Sequence, residues 1–188
     1  MISSPIAWHT VLGWPKEAKS GTLVDDQSLL SVIEEPLGHY PGRIDEKGRL
    51  KLPVDIQRYL TETMRVAGGT QDLFLTTLDL KKILIYPRMA WKRNLEVLMN
   101  ETESQEDAAD LAFLANEMGG TSEIDSQGRL LVPAKLRREL NMESRPVHLA
   151  SYNGRIEVMG PEEYEERRQR SRERHAEKLE KLMKKGFK

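Results

Sequence analysis

Arg49 and Arg129 each follow a glycine, and each stands four residues after an aspartate, Asp45 and Asp125. An Asp-x-x-Gly segment is a tight-turn signal, because the carboxylate accepts backbone N–H groups and the glycine takes positive φ without steric cost. Such a turn holds an arginine in one place, and a rigid five-donor guanidinium suits phosphate oxygens and base edges. Further cations lie close by: Arg43, Lys47, Lys51 and Arg58 around the first turn, Arg137 and Arg138 after the second. The spacing also has a plainer reading, in which Asp45 with Arg49 and Asp125 with Arg129 are internal ion pairs that keep the turns closed. Composition and spacing leave both readings open.

Other chemistries find less support. Asp45 and Asp125 as a general acid and base would be an elaborate use for aspartates that already have backbone N–H groups to accept. His9, His39, His148 and His175 sit in unrelated segments with no compact ligand spacing, so no metal site is expected. The serines lack a nucleophile-elbow context. Gly68-Gly69 and Gly119-Gly120 read as chain bends, since neither stands in a phosphate-loop pattern. No catalytic residue and no cofactor are expected, and the chain is not read as an enzyme.

The elements that must position the two arginines belong to an internal repeat. Residues 45–60 and 125–140, DEKGRLKLPVDIQRYL and DSQGRLLVPAKLRREL, are identical at seven of sixteen positions at an offset of 80. Asp45/Asp125, Gly48/Gly128, Arg49/Arg129, Leu50/Leu130, Pro53/Pro133, Arg58/Arg138 and Leu60/Leu140 are the shared pairs, and Ile44/Ile124 precede them. Each copy reads as a turn, a short strand ending at proline, and a helix of one to two turns, because proline is well placed where a helix begins. Downstream, LFLTTLD with KKILIYP parallels PVHLASY with GRIEVMGP, two hairpins turning at TLDLKK and SYNGR, of which Asn153-Gly154 is the stronger signal. A proline and an aromatic anchor follow each hairpin, Pro87 with Trp91 and Pro161 with Tyr164. Four short strands per half cannot bury both faces of a sheet, so the halves are expected to share one barrel.

Between the halves, Trp91, Leu95 and Leu98 form one helical stripe, and Ala108, Leu111, Ala115 and Met118 form another after the polar break NETESQED. These read as core and subunit contact. Residues 1–38 form an N-terminal extension with a charge balance of −3, with a short helix over 26–33 available to Leu29, Leu30 and Ile33. Residues 39–104 and 105–165 are the two repeat units, the second with its connecting helix, and 166–188 are a basic helical tail. From Glu162 onward the balance is +3, and Glu163/Arg167, Glu166/Arg170, Glu177/Lys181 and Glu180/Lys184 have the spacing of facing pairs, the mark of a solvated helix.

The whole chain of 188 residues has 29 basic and 30 acidic residues, a formal −1 that hides where the charges lie. The absence of cysteine removes disulfides, thiolate chemistry and Cys-based metal sites. No apolar stretch spans a bilayer and no signal-peptide pattern opens the chain, so a soluble cytoplasmic protein is expected.

The doubled segments DEKGRLKLP and DSQGRLLVP, followed by Arg58 and Arg138, resemble the MraZ family over about residues 39–165. That resemblance implies a mixed α+β fold, with two swapped-hairpin AbrB-like units sharing a small β-barrel. It further implies sequence-specific binding to double-stranded DNA with direct repeats, upstream of the bacterial division and cell-wall gene cluster, usually as a repressor. Ring-shaped homo-oligomers and nucleoid association are implied in the same way. The family's Asp-x-x-x-Arg pair maps onto Asp45 with Arg49 and onto Asp125 with Arg129, at the DNA-facing turns. Lys47 becomes Gln127 in the second copy, an asymmetry that favours the first half in phosphate binding. The first 38 residues depart from the family's short start, either as a lineage-specific arm or through an upstream start codon. Two alternatives stand beside this reading: an antitoxin-like AbrB-fold DNA-binding protein with a toxin partner, and an oligomeric scaffold that binds no DNA.

Overall fold

The computed structural model describes residues 33–66, 71–101 and 104–187. Apart from Ile33, the helix expected over 26–33 lies outside the described residues, as does the Gly68-Gly69 pair. The chain runs β1 (Tyr40–Arg43), β2 (Arg49–Lys51), α1 (Val54–Val66), β3 (Leu73–Thr76), β4 (Lys82–Pro87) and α2 (Arg88–Glu101) in its first half. It continues with α3 (Gln105–Met118), then β5 (Gly120–Ser122), β6 (Arg129–Leu131), α4 (Ala134–Glu139), β7 (Pro146–Tyr152), β8 (Arg155–Met159) and α5 (Pro161–Met183). The repeat thus reproduces its order of strands and helices in both copies, and α3 is the inserted connector.

Strands from the two copies interleave. Six of them form an antiparallel sheet in the order β1-β7-β8-β4-β3-β5. The first strand of each copy pairs with the other copy's hairpin: Tyr40 of β1 lies opposite Leu149 of β7, and Thr121 of β5 opposite Phe74 of β3. The two hairpins meet in the middle, where Ile83 of β4 faces Val158 of β8. Exchanging equivalent strands reverses this order without changing it, so a pseudo-two-fold axis passes between β4 and β8.

The expected closed barrel is not found among the described residues. β1 and β5 remain the two edges of the large sheet, while β2 and β6 pair with each other in a separate antiparallel ribbon. A single bridge, Ile44 opposite Leu50, links the ribbon to the end of β1. Both ribbon strands are only three residues long, and Pro53 and Pro133 stand just beyond them. Proline has no N–H with which to carry the ladder further.

Local chemistry explains the hairpins. Asn153 and Gly154 both have positive φ, 49° and 75°, as a two-residue turn matching the right-handed strand twist requires. At the other hairpin the Thr77 hydroxyl accepts from the Leu80 N–H at 3.1 Å and the Asp79 carboxylate from the Lys81 N–H at 3.0 Å. The helices after the prolines differ in length. α1 runs for 13 residues, longer than expected, with the apolar stripe Ile56, Tyr59, Leu60, Met64 buried along it. α4 has only six residues: Leu136 is buried, Leu140 packs against the core at its end, and Asn141 at φ 50° closes it, with the Met142 N–H reaching the Arg137 carbonyl at 2.8 Å.

The main core lies between one face of the sheet, α1 and the ribbon, and includes Ile44, Leu50, Ile56, Leu60, Leu75, Ile85, Leu130, Leu136, Val147 and Ile156. On the other face Trp91 packs against Phe74 and Tyr86, with Ala115 of α3 beside them. Of the two connector stripes, Trp91, Ala108, Ala115 and Met118 are buried, while Leu111 lies at the surface. Gly119 ends α3 against the Phe74 ring, where a Cβ would collide.

The tail is one helix with Tyr164, continuous across residue 165. It is attached more firmly than a free solvated helix. Arg167 donates to the buried Glu157 carboxylate at 2.6 Å, and Arg145 pairs with Glu162. The expected Glu163/Arg167 pair is therefore replaced: Arg167 turns to the sheet, and Glu163 meets Arg170 instead at 3.4 Å. Glu166/Arg170 and Glu180/Lys184 form as their spacing predicts, and the Glu177 side chain lies outside what is described.

Candidate nucleic-acid interface

The two Asp-x-x-Gly turns superimpose in their chemistry, bond for bond. In the first, Asp45 Oδ1 accepts from the Lys47 N–H at 2.9 Å and the Arg49 N–H at 2.8 Å. Its Oδ2 receives Arg49 Nε at 2.8 Å and Nη2 at 2.7 Å. In the second, Asp125 Oδ1 accepts from Gln127 and Arg129 N–H groups at 2.9 Å, and Oδ2 receives Arg129 Nε at 2.9 Å and Nη2 at 2.8 Å. Gly48 and Gly128 have φ of 77° and 70°, the left-handed region that a side chain resists.

The aspartates are fixed as anions. The Arg129 side-chain hydrogen bond, followed by the backbone N–H groups, lowers the Asp125 pKa to about 2. The Arg49 hydrogen bond lowers that of Asp45 in the same way. A carboxylate that stays charged grips one edge of the guanidinium and leaves the Nη1 edge to other partners. Arg49 and Arg129 side chains are 33% and 26% exposed, so both ends of the twin arrangement reach solvent. Internal pairing and outward presentation are thus compatible: the ion pair orients the arginine.

The ribbon places both turns on one local axis. Leu50 faces Leu130 at its centre, Arg49 lies opposite Leu131, and Lys51 opposite Arg129. The copies lock across it, with the Leu52 N–H donating to the Gly128 carbonyl at 3.0 Å and the Val132 N–H to the Gly48 carbonyl at 2.9 Å. Lys51 Nζ donates to the Gln127 carbonyl, so this cation of the first copy sits at the second turn.

The other basic residues divide by position. Lys47 is exposed at the tip of the first turn. Arg43 is exposed and donates to the Ser144 carbonyl at 2.9 Å. Arg58 points to solvent but pairs with Asp55 at 2.6 Å, and Arg138 is 73% exposed with Glu143 at 3.7 Å. Arg137 differs: only 14% exposed, it lies over Gly48 and donates to the Val132 carbonyl. Sequence reading did not single out Gln57, which lies over Gly128 as Arg137 lies over Gly48. The signal was available, because the repeat offset that pairs Arg58 with Arg138 also pairs Gln57 with Arg137.

Among the described residues no group of three or more histidines and carboxylates is arranged to hold a metal ion, and no helix is long and apolar enough to cross a membrane.

Fold and site together define a class: a duplicated α+β chain whose interleaved copies present two equivalent aspartate-anchored arginine turns. Comparison with known proteins places it more narrowly. The family described as "MraZ protein, putative antitoxin-like" matches residues 119–185. Similar proteins include the transcriptional regulator MraZ of Acidobacterium capsulatum, 33% identical over 127 residues, which cover 68% of this chain and 77% of that one. The transcriptional regulator MraZ of Heliobacterium modesticaldum is 32% identical over 146 residues, 76% of this chain and 95% of that one. That of Deinococcus radiodurans is 29% identical over 132 residues, 69% and 84% of the two chains. The chain belongs to the MraZ family.

Proposed function

We propose that this protein is a sequence-specific, DNA-binding transcriptional regulator, acting in the cytoplasm on the nucleoid as a repressor of the bacterial division and cell-wall gene cluster. The single observation that carries the reading is the repeated aspartate-locked arginine, matched to 0.1 Å in each corresponding contact of the two turns. Arg49 and Arg129 enter or approach the major groove of duplex DNA. Lys47 and Lys51 beside them, with Arg43, Arg58 and Arg138 further out, meet phosphates, while Arg137, largely buried, steadies the first turn. Asp45, Gly48, Asp125 and Gly128 set the turn geometry. No covalent chemistry is required. Names of the relatives, all transcriptional regulators, support the same role.

Residues 39–104 and 105–165 are read as two AbrB-like units of swapped-hairpin type, flanked by the 1–38 extension and the 166–188 tail. The exchange of β1 and β5 between hairpins supports that reading. One chain offers few phosphate contacts, and affinity grows when contacts repeat along the duplex. A homo-oligomeric ring on direct repeats would supply them, and exposed apolar side chains on α2 and α3, among them Val97, Met99 and Phe113, support self-association.

The test is binding of Arg49→Ala, Arg129→Ala and the double variant to repeated and scrambled duplexes over a salt series. Each loss is expected to lower affinity for the repeated duplex by about 1–3 kcal/mol and to relax its preference over the scrambled one, with the salt slope, set by the phosphate contacts, nearly unchanged. A folded double variant that keeps wild-type specificity would overturn the assignment. An antitoxin-like role, favoured by the wording of the family description, predicts in addition a stable complex with the product of a neighbouring toxin gene.

A further inference from the structure

Two clefts of the described surface are lined by carboxylates: Asp79 and Glu163 in one, Glu34, Glu35, Asp55 and Glu62 in the other. A third, of about 520 Å³, lies between His39, next to β1, and α5, and no carboxylate among the described residues lines it. Its walls are His39, Tyr164, Ser171, His175 and the three arginines Arg167, Arg168 and Arg172. Along the helix Tyr164, Arg168, Arg172 and His175 follow one another at intervals of four, four and three. That spacing makes a single stripe on one helical face, about 16 Å long at 1.5 Å per residue.

The aromatic end of the stripe is fixed from behind. The His148 ring stacks on Tyr164 with centroids 3.7 Å apart and planes 9° from parallel, and it does not line the cleft. The His39 ring stands edge-on to Tyr164 at 5.4 Å, on the cleft side. The cationic end is graded in its freedom. Arg167 is committed to Glu157 and Arg168 to Glu165 at 2.9 Å, whereas Arg172 is exposed and has no ionic partner among the described residues. An aromatic platform, a one-turn step to arginine, an unpaired arginine one turn further and a lining without carboxylates among the described residues form a cleft for a planar ring joined to an anionic group.

We propose that this cleft binds a nucleoside 5′-phosphate, with the base against Tyr164 and His39 and the phosphate at Arg172, joined by Arg168 as it leaves its solvent-exposed pair with Glu165. Bases of every kind have a π-face for such a platform, and the guanidinium fork suits phosphoryl oxygens. The volume lies within the range of small-molecule sites and fits one nucleotide better than a run of them. The site stands apart from the arginine turns and does not rest on their role in duplex binding.

Isothermal titration of the full chain with adenosine 5′-monophosphate, adenosine and inorganic phosphate tests the proposal. The monophosphate is expected to bind, and adenosine and phosphate each to bind about tenfold more weakly, because either one loses half of the recognition. Arg172→Ala is expected to weaken the monophosphate by about tenfold while leaving duplex DNA binding unchanged. Tyr164→Phe, which keeps the ring, should bind as the wild type. No heat from the monophosphate up to about 1 mM overturns the proposal, as does equal binding of phosphate alone or an Arg172→Ala variant of unchanged affinity. Tighter, Arg172-dependent binding of a single-stranded oligothymidylate would overturn the free nucleotide as ligand and assign the cleft to a nucleic-acid strand.

Discussion

Arg137 lies across Gly48, its guanidinium occupying the space where a Cβ on that glycine would stand. A side chain from the second copy therefore roofs the turn that presents Arg49, and the glycine is needed twice over, for its φ of 77° and for that approach. Gly48→Ala is expected to destabilise the protein by about 1–3 kcal/mol, measured by chemical denaturation. Gly128→Ala should cost less. There the nearest obstacle is the end of the Gln57 side chain, with Lys51 Nζ beyond it at 3.1 Å, and both are tips of flexible side chains that give way more easily than an arginine guanidinium largely buried and held by the Val132 carbonyl. Equal losses at the two glycines would contradict the asymmetry.

Much of this was legible in the sequence because it is written twice. The offset that aligns Asp45 with Asp125 located both turns, the prolines that end the ribbon strands and the two hairpins. It could not reveal how the copies interleave. Pairing of β1 with β7 and of β5 with β3 depends on surfaces far apart in the chain, and nothing local in YPGR or GTS names its partner. Among the described residues the sheet edges are not joined into a barrel, because the three-residue strands that end before proline pair with each other instead; the prolines were legible, but that pairing was not. The tail was misjudged in part for a similar reason: Glu163 at i−4 looked like the partner of Arg167, but Glu157, across the turn in space, is buried and more strongly in need of a cation.

Glu157 is 1% exposed on β8 and is reached by Arg167 at 2.6 Å, Arg155 at 2.8 Å and Lys82 at 3.7 Å. Burial raises its pKa, but the hydrogen bonds of Arg167 and Arg155 and the charge of Lys82 outweigh this and leave it below the ordinary carboxylate value. Glu157→Gln would leave Arg167 and Arg155 without this anion where α5 meets the sheet, while Lys82 keeps Asp79 at 3.3 Å. A loss of about 1–3 kcal/mol is expected, less than for a fully buried pair because the cations reach water. Hydrogen exchange should then quicken first in α5; protection unchanged there would show that the helix is held by other contacts.

His148 makes the attachment of the same helix sensitive to pH. Burial, and then the neighbouring charge of His39, push its pKa below the usual 6.5. The unfolded chain therefore binds the proton more readily than the folded one, so this contribution is fully present above about pH 6.5 and is lost as the pH falls through the lowered folded value. The melting temperature should fall more steeply between about pH 7 and pH 5 for the wild type than for His148→Phe, which keeps a ring against Tyr164 and does not titrate. Parallel curves for the two proteins would remove His148 as the cause.

Phe113 is 70% exposed on α3, and Val97 and Met99 are each 58% exposed on the neighbouring α2. Large apolar side chains this open, on helices that carry the chain between its two copies, are costly in water and fit a contact between subunits. A charge placed there would have to be desolvated on association, a penalty that a solvent-facing position does not impose. Phe113→Glu is accordingly expected to leave the circular dichroism spectrum and melting temperature near wild type while lowering the mass measured by sedimentation. In the proposed ring, where contacts repeat along the duplex, its affinity for a multi-repeat duplex should fall much more than its affinity for a single repeat. A variant that keeps the wild-type mass would move the subunit contact away from α3.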